Sequence, residues 1–338
     1  MLIITGTYPP ERCGVGDYTK CLLSTSLGQH WHLFYQTDWT FSNIRQLCKL
    51  LSRTNDEVVN LQYPSMGYST HLTPHLLALY AVLCLRRKLI LTVHEYSQLG
   101  WKGKLALSVL FAVASAVVFT TEFELNSAKK RSLFLRNATI VKINSNIPRA
   151  LPVKSVIERS WDVGYFGYLR PLKGLEEFME AATCLKQAYP HLKIYVMGQV
   201  QPQFKEYAQT FIDKFEEAGI TFFNDKTHRQ VAEILNDTKV SYLPYPDGLS
   251  ERRGSFLAAA VNGCIVVSNK GSFTTEQQQQ LICLRQTQEV PAAILEILSS
   301  EARMLHDQEN VLRFVEQNVP LSWDEVAEQY EQVVKGIS

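Results

Sequence analysis

One short segment in the middle of the chain places two cations between two glycines. It reads GYFGYLRPLKG, so Arg170 and Lys173 follow Gly167 and precede Gly174. Cations on a glycine-bounded turn suit a diphosphate, because they neutralise the charge that builds up on a departing phosphate. A lysine on a loop is commonly just solvated, but its spacing from Gly167 favours phosphate binding. We therefore predict that Lys173 stabilises a leaving phosphate and that Gly167 and Arg170 help to bind it.

A second charged segment, YPDGLSERRGSF, opens a helix that we predict over residues 255–261. The polar and small residues of interest in it are Asp247, Glu251, Arg252, Arg253, Gly254 and Ser255. An acidic side chain can hold sugar or ribose hydroxyls, and arginines at a helix N-terminus favour phosphates. The segment predicts a nucleotide-sugar site, and its composition also suits a charged surface loop.

Two glycines stand between a diproline and the first predicted helix, in TYPPERCGVGDYT. Gly14 and Gly16 would let the backbone approach a ligand closely, and the helix start offers unpaired N–H groups to an anion. A GxG pair is a weak signal by itself, since turns use glycine often. Asp17 also suits an ordinary helix cap. We include Gly14 and Gly16 among the predicted donor-binding residues.

A histidine follows the apolar run LILTV, at the point where a buried strand would end. His94 can there donate a hydrogen bond to a hydroxyl or phosphate, or take a proton near neutral pH. The alternative is a core histidine whose hydrogen bonds are satisfied internally. We predict a catalytic role for His94.

Short apolar runs alternate with longer amphipathic segments, which is the pattern of parallel strands joined by crossover helices. In the first part of the chain we predict strands at 2–4, 32–35, 58–62, 89–93, 116–120 and 140–142. After residue 150 we predict strands at 162–166, 193–197, 220–223, 240–243 and 264–268, with a helix over Leu175–Ala188 among the segments between them. The glutamine run at 277–280 is a predicted polar loop.

The two sets of strands predict two α/β domains, and 338 residues with 46% hydrophobic content can fill two cores. A stretch near 147–160 with two prolines and little periodicity marks the linker. We place one domain at 1–150, a second at 151–321 and a closing amphipathic helix at 322–338. Ligands of open parallel sheets bind outside the carboxyl ends of the strands, so we expect the site in a cleft between the two sheets.

The net charge of +1 hides an asymmetry between the halves of the chain. Residues 1–150 contain 16 Lys and Arg against 8 Asp and Glu, whereas residues 151–338 contain 18 against 25. Basic clusters lie at 86–88, at Lys102 and Lys104, and at 129–131. Each cluster suits a solvated helix face. Their sum also suits an anionic substrate or an anionic membrane surface, where one basic residue contributes about 1 kcal/mol.

The sequence favours a soluble, cytoplasmic protein. Its most apolar stretch, 105–119, is too short to span a bilayer, and its first residues do not have the pattern of a secretory signal. Seven scattered cysteines without a CxxC pair argue against a disulfide framework and against a zinc site. We therefore expect a reducing compartment and no bound metal.

Together these segments resemble the retaining glycosyltransferases of family 4. The resemblance covers nearly the whole chain, through PP…GVGDY, LTVHEYS, FTTEFE, INSNIP, FGYLRPLKG and LSWDEVAEQYEQVV. It implies the GT-B fold, in which two facing Rossmann-like, doubly wound α/β domains enclose an inter-domain cleft. It also implies sugar transfer from a nucleotide diphosphate with retention. The sequence has no DxD triplet to hold a metal, which agrees with stabilisation of the leaving group by Lys and Arg.

The resemblance also implies roles for individual residues. In that family the glycine loop and the strand-end histidine lie on the acceptor side, whereas an arginine and a lysine bind the donor diphosphate. Gly14, Gly16, His94 and Lys173 occupy matching positions here. We expect His94 to hold the donor sugar or its phosphate, and Glu251 to hold sugar hydroxyls.

Two positions depart from the family's pattern. Tyr168 stands where the family has an arginine, so we assign that cationic role to Arg253, with Arg252 and Arg170 as alternatives. Glu251 matches the first of two glutamates, but alanines occupy the region of the second. The second departure favours a different hypothesis, a catalytically degenerate GT-B module that binds a sugar nucleotide or supports a partner enzyme.

The predicted reaction moves a hexose-type sugar to a saccharide or lipid-linked saccharide, as in surface polysaccharide or glycolipid assembly. Its predicted catalytic residues are His94, Lys173, Glu251 and Arg253. The expected partners are the nucleotide sugar, the acceptor and an anionic membrane at its inner face, with no nucleic acid and no cofactor besides the co-substrate. An epimerase or hydrolase that uses the same donor is an alternative within the same fold.

Overall fold

Strands and helices alternate along the chain in the computed structural model, which describes residues 1–11 and 13–337. The strands are β1 (Leu2–Thr5), β2 (His32–Tyr35), β3 (Val58–Tyr63), β4 (Lys88–Val93), β5 (Ala116–Phe119), β6 (Ala138–Ile140), β7 (Trp161–Phe166), β8 (Ile194–Gly198), β9 (Thr221–Asn224), β10 (Thr238–Leu243), β11 (Ile265–Ser268) and β12 (Cys283–Leu284).

The α-helices lie mostly between successive strands, with two after the last strand. They are α1 (Gly14–Leu23), α2 (Ile44–Leu51), α3 (Thr73–Leu83), α4 (Trp101–Val113), α5 (Glu122–Lys129), α6 (Leu175–Ala188), α7 (Lys205–Glu217), α8 (His228–Asn236), α9 (Gly254–Val261), α10 (Glu276–Leu281), α11 (Val290–Leu298), α12 (Glu301–Asn318) and α13 (Trp323–Ile337). Short 3₁₀ turns occupy several of the loops.

The chain divides into two compact units. The first contains the residues up to Asn144 and those from Pro320 onward, and the second runs from Ser145 to Val319. The predicted boundaries at 150 and 321 lie six and two residues further along the chain. The segment before residue 151 belongs to the second unit because Asn262 holds it: its Nδ2 donates to the Pro148 carbonyl at 3.2 Å, and its Oδ1 accepts from the Ala150 N–H at 2.8 Å.

The first unit is built on a parallel six-stranded sheet of order β2-β1-β3-β4-β5-β6. Because successive side chains of a strand point to opposite faces, Leu2 and Ile4 join one core cluster and Ile3 joins another. The strands from β3 to β6 advance in one direction, and right-handed crossovers then place α3, α4 and α5 on the same face. The opposite face is covered by α1 and by the returning helix α13, through Tyr18 and Tyr330.

The second unit contains a parallel sheet of order β12-β11-β10-β7-β8-β9. Counted from β7, this is the 3-2-1-4-5-6 order of the Rossmann fold. The direction of chain advance reverses between β7 and β10, which lie side by side. This reversal is the topological switch point of the sheet, where such folds bind ligands.

Most predicted strands are confirmed, and α6 has the predicted bounds. Two predictions are wrong in detail, and one strand was not predicted. The strand predicted at 140–142 is β6, two residues earlier, and the two-residue strand β12 was not predicted. The glutamine run lies in α10 and not in a loop, because Thr275 and Gln278 form a capping box that begins the helix.

Candidate functional site

The two cationic loops of the sequence leave adjacent strands at the switch point of the second sheet. Val163 of β7 pairs with Val240 of β10, so the carboxyl ends of both strands lie together. Gly174, which ends the first loop, has φ +77° and lies so close to the Pro244 carbonyl oxygen that a Cβ would come within 1.9 Å of it. Only glycine fits this position, and its contact joins the loop at 167–174 to the loop at 244–253.

Hydrogen bonds to the neighbouring strand end fix the start of the first loop. The Gly167 N–H donates to the Met197 carbonyl at 3.1 Å, and the Leu169 N–H donates to that of Gln199 at 3.2 Å. At the other end of the loop, the Tyr165 hydroxyl donates to the Lys173 carbonyl at 2.8 Å. The Lys173 backbone is therefore anchored directly at the end of β7, and its side chain is half-buried.

Two arginines of these loops carry buried donors. Within the described residues, Nε of Arg170 and Nε of Arg253 are both buried and have no hydrogen-bond partner. A buried donor without a partner costs about 1–3 kcal/mol, and more when the group is charged. Both arginines stand on the loops that leave the switch point, where their positive charge favours an anion.

Arg253 is held in place by its neighbours. Its guanidinium forms an ion pair with Asp247 and lies over the Tyr245 ring, 4.7 Å from the centroid. The Tyr245 hydroxyl in turn lies 2.8 Å from Ser255 Oγ. Asp247, which we assigned to donor binding, contacts this arginine, and Ser255 contacts the tyrosine beneath it. Arg252 stacks separately, 4.8 Å from the centroid of the Phe273 ring.

Close packing and hydrogen bonds hold the loop at 244–253 against the segment that follows β11. Gly248 has φ +85°, and a Cβ there would come within 2.2 Å of the Gly271 nitrogen. The Leu249 N–H donates to the Asn269 carbonyl at 2.9 Å, and Thr274 Oγ1 donates to the Leu249 carbonyl at 2.8 Å. These contacts fix the backbone on which the charged side chains stand.

Helix α9 begins at Gly254 with an open first turn. A Cβ on Gly254 would meet nothing within 4 Å, and Arg253 before it gives no side-chain cap. Within this first turn the Phe256 N–H donates to the Tyr245 hydroxyl, and the helix dipole at this end favours an anion. Glu251 lies half-buried in the turn that leads into the helix. The alanines Ala258–260 are fully buried.

The glycine pair of the first unit lies after β1, at the switch point between β1 and β3. Gly14 begins α1, and a Cβ there would meet nothing within 4 Å. Gly16 is packed, because a Cβ would lie 3.0 Å from the Thr7 carbonyl oxygen. Gly14 thus leaves the helix start open, whereas Gly16 allows the helix to pack on the preceding loop.

His94 directly follows β4 and belongs to a buried hydrogen-bond chain. The Tyr18 hydroxyl donates to that of Tyr330 at 2.9 Å, and Thr92 Oγ1 lies 3.0 Å from the Tyr330 hydroxyl and donates to Asn60 Oδ1 at 2.8 Å. Gln62 Nε2 also donates to Asn60 Oδ1, at 3.0 Å. Gln62 Oε1 is therefore the acceptor toward His94 Nε2, 2.9 Å away.

This chain of hydrogen bonds determines which ring nitrogen of His94 donates and which accepts. Its Nε2 carries the proton and donates to Gln62, which leaves Nδ1 as a lone-pair acceptor. Burial lowers the pKa of His94 to about 4. Of the two roles considered for His94, hydrogen bonding and proton uptake, burial disfavours proton uptake near neutral pH because the ring remains neutral there. One edge of the Tyr18 ring packs against the imidazole, with centroids 5.0 Å apart.

The predicted residues thus form two groups. Gly14, Gly16 and His94 belong to the first unit, and the remaining predicted residues surround the switch point of the second unit. Sequence reasoning missed Tyr18, Tyr330 and Tyr245, which position His94 and Arg253. Buried tyrosines at helical or strand spacing look like core residues in a sequence, so no signal singled them out.

Residues 1–11 and 13–337 contain neither a metal-binding cluster nor a helix that could span a membrane. No three His, Cys, Asp or Glu side chains of this part gather into a group that could hold a metal ion. None of its helices has the length and apolar composition needed to cross a bilayer.

Solved structures with two Rossmann-like domains are similar to this chain over its full length. HepE from Anabaena, in complex with UDP and glucose, matches with a TM-score of 0.70, 12% identity and 99% coverage of both chains. Sucrose-phosphate synthase from Thermosynechococcus elongatus matches with a TM-score of 0.69, 14% identity and coverage of 99% and 98%. A glycosyltransferase from Rickettsia africae matches with a TM-score of 0.69, 10% identity and the same coverage.

These likenesses, with the two parallel six-stranded sheets, confirm the predicted GT-B fold class. No protein-family model and no curated protein sequence matches the chain. At 10–14% identity the solved structures bear on the fold alone.

Proposed function

We propose that the protein is a glycosyltransferase that takes a sugar from a nucleoside diphosphate donor. One observation carries the proposal: the buried Nε atoms of Arg170 and Arg253, which have no partner, stand on the two loops that leave the switch point of a Rossmann sheet, beside the N-terminus of α9. Both features favour an anion with several oxygen atoms. The fold is shared with HepE, whose structure contains UDP and glucose, and this likeness supports a hexose-type donor.

In this proposal the second unit binds the donor and stabilises its departure. Lys173 and Arg253 meet the charge that grows on the diphosphate as the bond to the sugar breaks, and Arg170 adds a third cation. Because these side chains supply the charge, the proposed transfer uses no metal. The first-turn N–H groups of α9 add a fixed dipole, and Glu251 accepts hydrogen bonds from sugar hydroxyls.

Within the first unit, the residues that could contact a substrate are His94 and Gly14, at the start of α1. Since His94 is neutral and Nε2 donates to Gln62, the free role of its ring is to accept a hydrogen bond from a sugar hydroxyl at Nδ1. We propose retention, with the acceptor hydroxyl attacking from the face that the diphosphate leaves. We propose a saccharide or lipid-linked saccharide as the acceptor, as used in polysaccharide or glycolipid assembly.

The experiment incubates the protein with UDP-, GDP-, ADP- and TDP-hexoses, in EDTA, with a mixture of saccharide and lipid-linked acceptors. We expect one donor to release its nucleoside diphosphate faster when acceptor is present, and proton NMR to give a product with the anomeric configuration of the donor. Inversion would contradict the retaining mechanism. Activity only after a divalent metal is restored would contradict the use of side-chain cations alone.

A second candidate function is binding without turnover. It is favoured by the buried alanines of α9, since Ala258–260 leave no carboxylate where a second donor-binding glutamate would stand. This candidate predicts that a nucleotide sugar binds but is not consumed with any acceptor. Release of nucleoside diphosphate above the rate without protein would exclude it.

A further inference from the structure

Helix α4 is apolar on both of its sides. Leu107, Leu110 and Phe111 are buried against the first sheet. On the outer side, Trp101, Leu105 and Val109 follow each other at intervals of four residues and are exposed, Trp101 to 72%. An isolated exposed apolar residue is ordinary, but a stripe of three along one helix marks an interaction surface.

The neighbouring segments continue this apolar surface. Helix α3, which packs against α4, exposes Leu76 and Leu83. After α5, on the same face of the sheet, Leu133 is 96% exposed and Phe134 is also exposed. We call the surface formed by Trp101, Leu105 and Val109 of α4 with Leu133 and Phe134 the outer face.

The part of the sequence that carries the outer face is rich in basic residues and poor in acidic ones. Residues 58–144 contain 10 Lys and Arg but only three acidic residues, Glu95, Glu122 and Glu124. Glu124 is buried, where its carboxylate accepts from the Ser97 N–H and hydroxyl at 2.7 Å each. The positive charge of the first half of the chain is therefore concentrated in the part that carries the outer face.

Two contacts bring basic residues of different elements to one place. Lys104 Nζ of α4 lies 5.6 Å from the centroid of the Tyr96 ring, and Arg131, after α5, is within electrostatic reach of the same tyrosine. Lys129 and Lys130 immediately precede Arg131 and are exposed. Lys102, beside Trp101, lies with its Nζ 5.6 Å from the centre of the indole.

We propose that the outer face docks on an anionic lipid membrane. In this arrangement α4 lies in the plane of the interface, Trp101, Leu105 and Phe134 enter the boundary between headgroups and acyl chains, and the lysines contact anionic headgroups. The combination of an indole, aliphatic side chains and lysines is that of interfacial helices. The excess of cations fits a lipid surface of negative charge better than the mixed charge of an average protein partner.

The test is co-sedimentation of the full chain with vesicles of phosphatidylcholine alone or with about 30% phosphatidylglycerol. We expect binding only to the anionic vesicles, and loss of most of it between about 0.1 M and 1 M salt, where the screening length falls from about 10 Å to about 3 Å. Equal recovery on both kinds of vesicle, or recovery on neither, would overturn the proposal.

Two variants test the electrostatic and the apolar contributions to membrane binding separately. K129Q/K130Q/R131Q should weaken binding on the order of 100-fold, since each basic residue near the surface contributes about 1 kcal/mol. Trp101→Ser with Leu105→Ser should weaken binding while leaving its salt dependence in place. The matched controls, Lys193→Gln and Leu305→Ser, alter exposed residues of the second unit and should bind like the wild type. Unchanged binding in the triple variant would contradict the proposal.

A fluorescence measurement locates the contact. Of the five tryptophans, Trp101 is exposed, whereas Trp31 and Trp39 are buried and Trp161 and Trp323 are half-buried. Brominated lipid should quench the protein, and Trp101→Phe should lose the quenching while still co-sedimenting. Quenching that persists in Trp101→Phe would place the contact elsewhere. These assays contain no sugar nucleotide, so their failure leaves the proposed transferase activity unaffected.

Discussion

Burial decides what His94 can do. A histidine at a strand end suggests an acid or base, but Gln62 takes the proton of Nε2 and the surroundings lower the ring's pKa to about 4. The residue is therefore a neutral acceptor, oriented by Gln62 on one side and by the Tyr18 ring on another. The sequence correctly placed His94 at the end of a strand, but protonation depends on burial and partners that only the folded chain defines.

We predict that His94 stays neutral with the proton on Nε2 from pH 8 down to about pH 5. Nitrogen-15 NMR of labelled histidine, with His94→Gln to assign the signal, measures this directly. Because the folded pKa of about 4 lies below the ordinary value of 6.5, the free energy of unfolding falls as pH drops between these values. His94→Gln should reduce that slope, and proton uptake by His94 near pH 6.5 would contradict the assignment.

At the scale of elements, the candidate donor site exists because two loops meet. The contact of Gly174 with the Pro244 carbonyl joins the end of β7 to the end of β10. Since the left-handed φ and the close approach both require glycine, the position of Lys173 depends on this residue.

We predict that Gly174→Ala is more destabilising than Gly219→Ala. Both glycines have positive φ, which costs a non-glycine residue about 1–2 kcal/mol. An added Cβ at Gly219 meets only the end of the Lys186 side chain, with Cε at 3.5 Å and Nζ at 3.7 Å, whereas at Gly174 it overlaps a backbone oxygen. Urea unfolding should show the larger loss at Gly174, together with weaker nucleoside diphosphate binding in that variant alone. Equal losses would contradict the packing described.

The sequence predicts strands and helices more accurately than it predicts which of them lie side by side. The apolar runs of β3 and β4 identify buried strands because parallel sheets are covered on both faces. β12 was missed since its two residues, Cys283–Leu284, have no periodicity. The switch point was also beyond the sequence, because strand order arises from long-range packing. For the same reason, the pairing of Asp247 with Arg253 could not be predicted.

At the scale of the molecule, the first unit is discontinuous in sequence. Its core needs α13, from the end of the chain, whose Val326, Ala327 and Tyr330 are fully buried with Tyr18 of α1 and Ile3 of β1. The second unit has a core of its own, built from residues 156–304. The residues that complete the core of the first unit therefore follow the whole second unit in the sequence.

We predict that ending the chain at Val319 loosens the first unit and spares the second. A fully buried apolar side chain of valine size or larger contributes roughly 1.5–3 kcal/mol, so the lost contacts amount to several kcal/mol. Hydrogen exchange resolved by peptide should rise over β1, β4 and α1, and a synthetic 320–338 peptide should reverse it. The control, Leu321→Ser, changes an exposed residue and should exchange like the wild type. Uniform exchange across both units would contradict the assignment.

The most direct test of the proposed donor site is calorimetric titration with UDP, GDP, ADP, TDP and CMP. We expect one nucleoside diphosphate to bind best, and Lys173→Ala to weaken it about 10- to 100-fold, as expected when a charged hydrogen bond of about 1.5–3 kcal/mol is lost. Lys193→Ala, which changes an exposed residue just before the amino end of β8, should bind like the wild type. If no nucleotide binds, or if Lys173→Ala binds as tightly as the wild type, the assignment of the donor site is wrong.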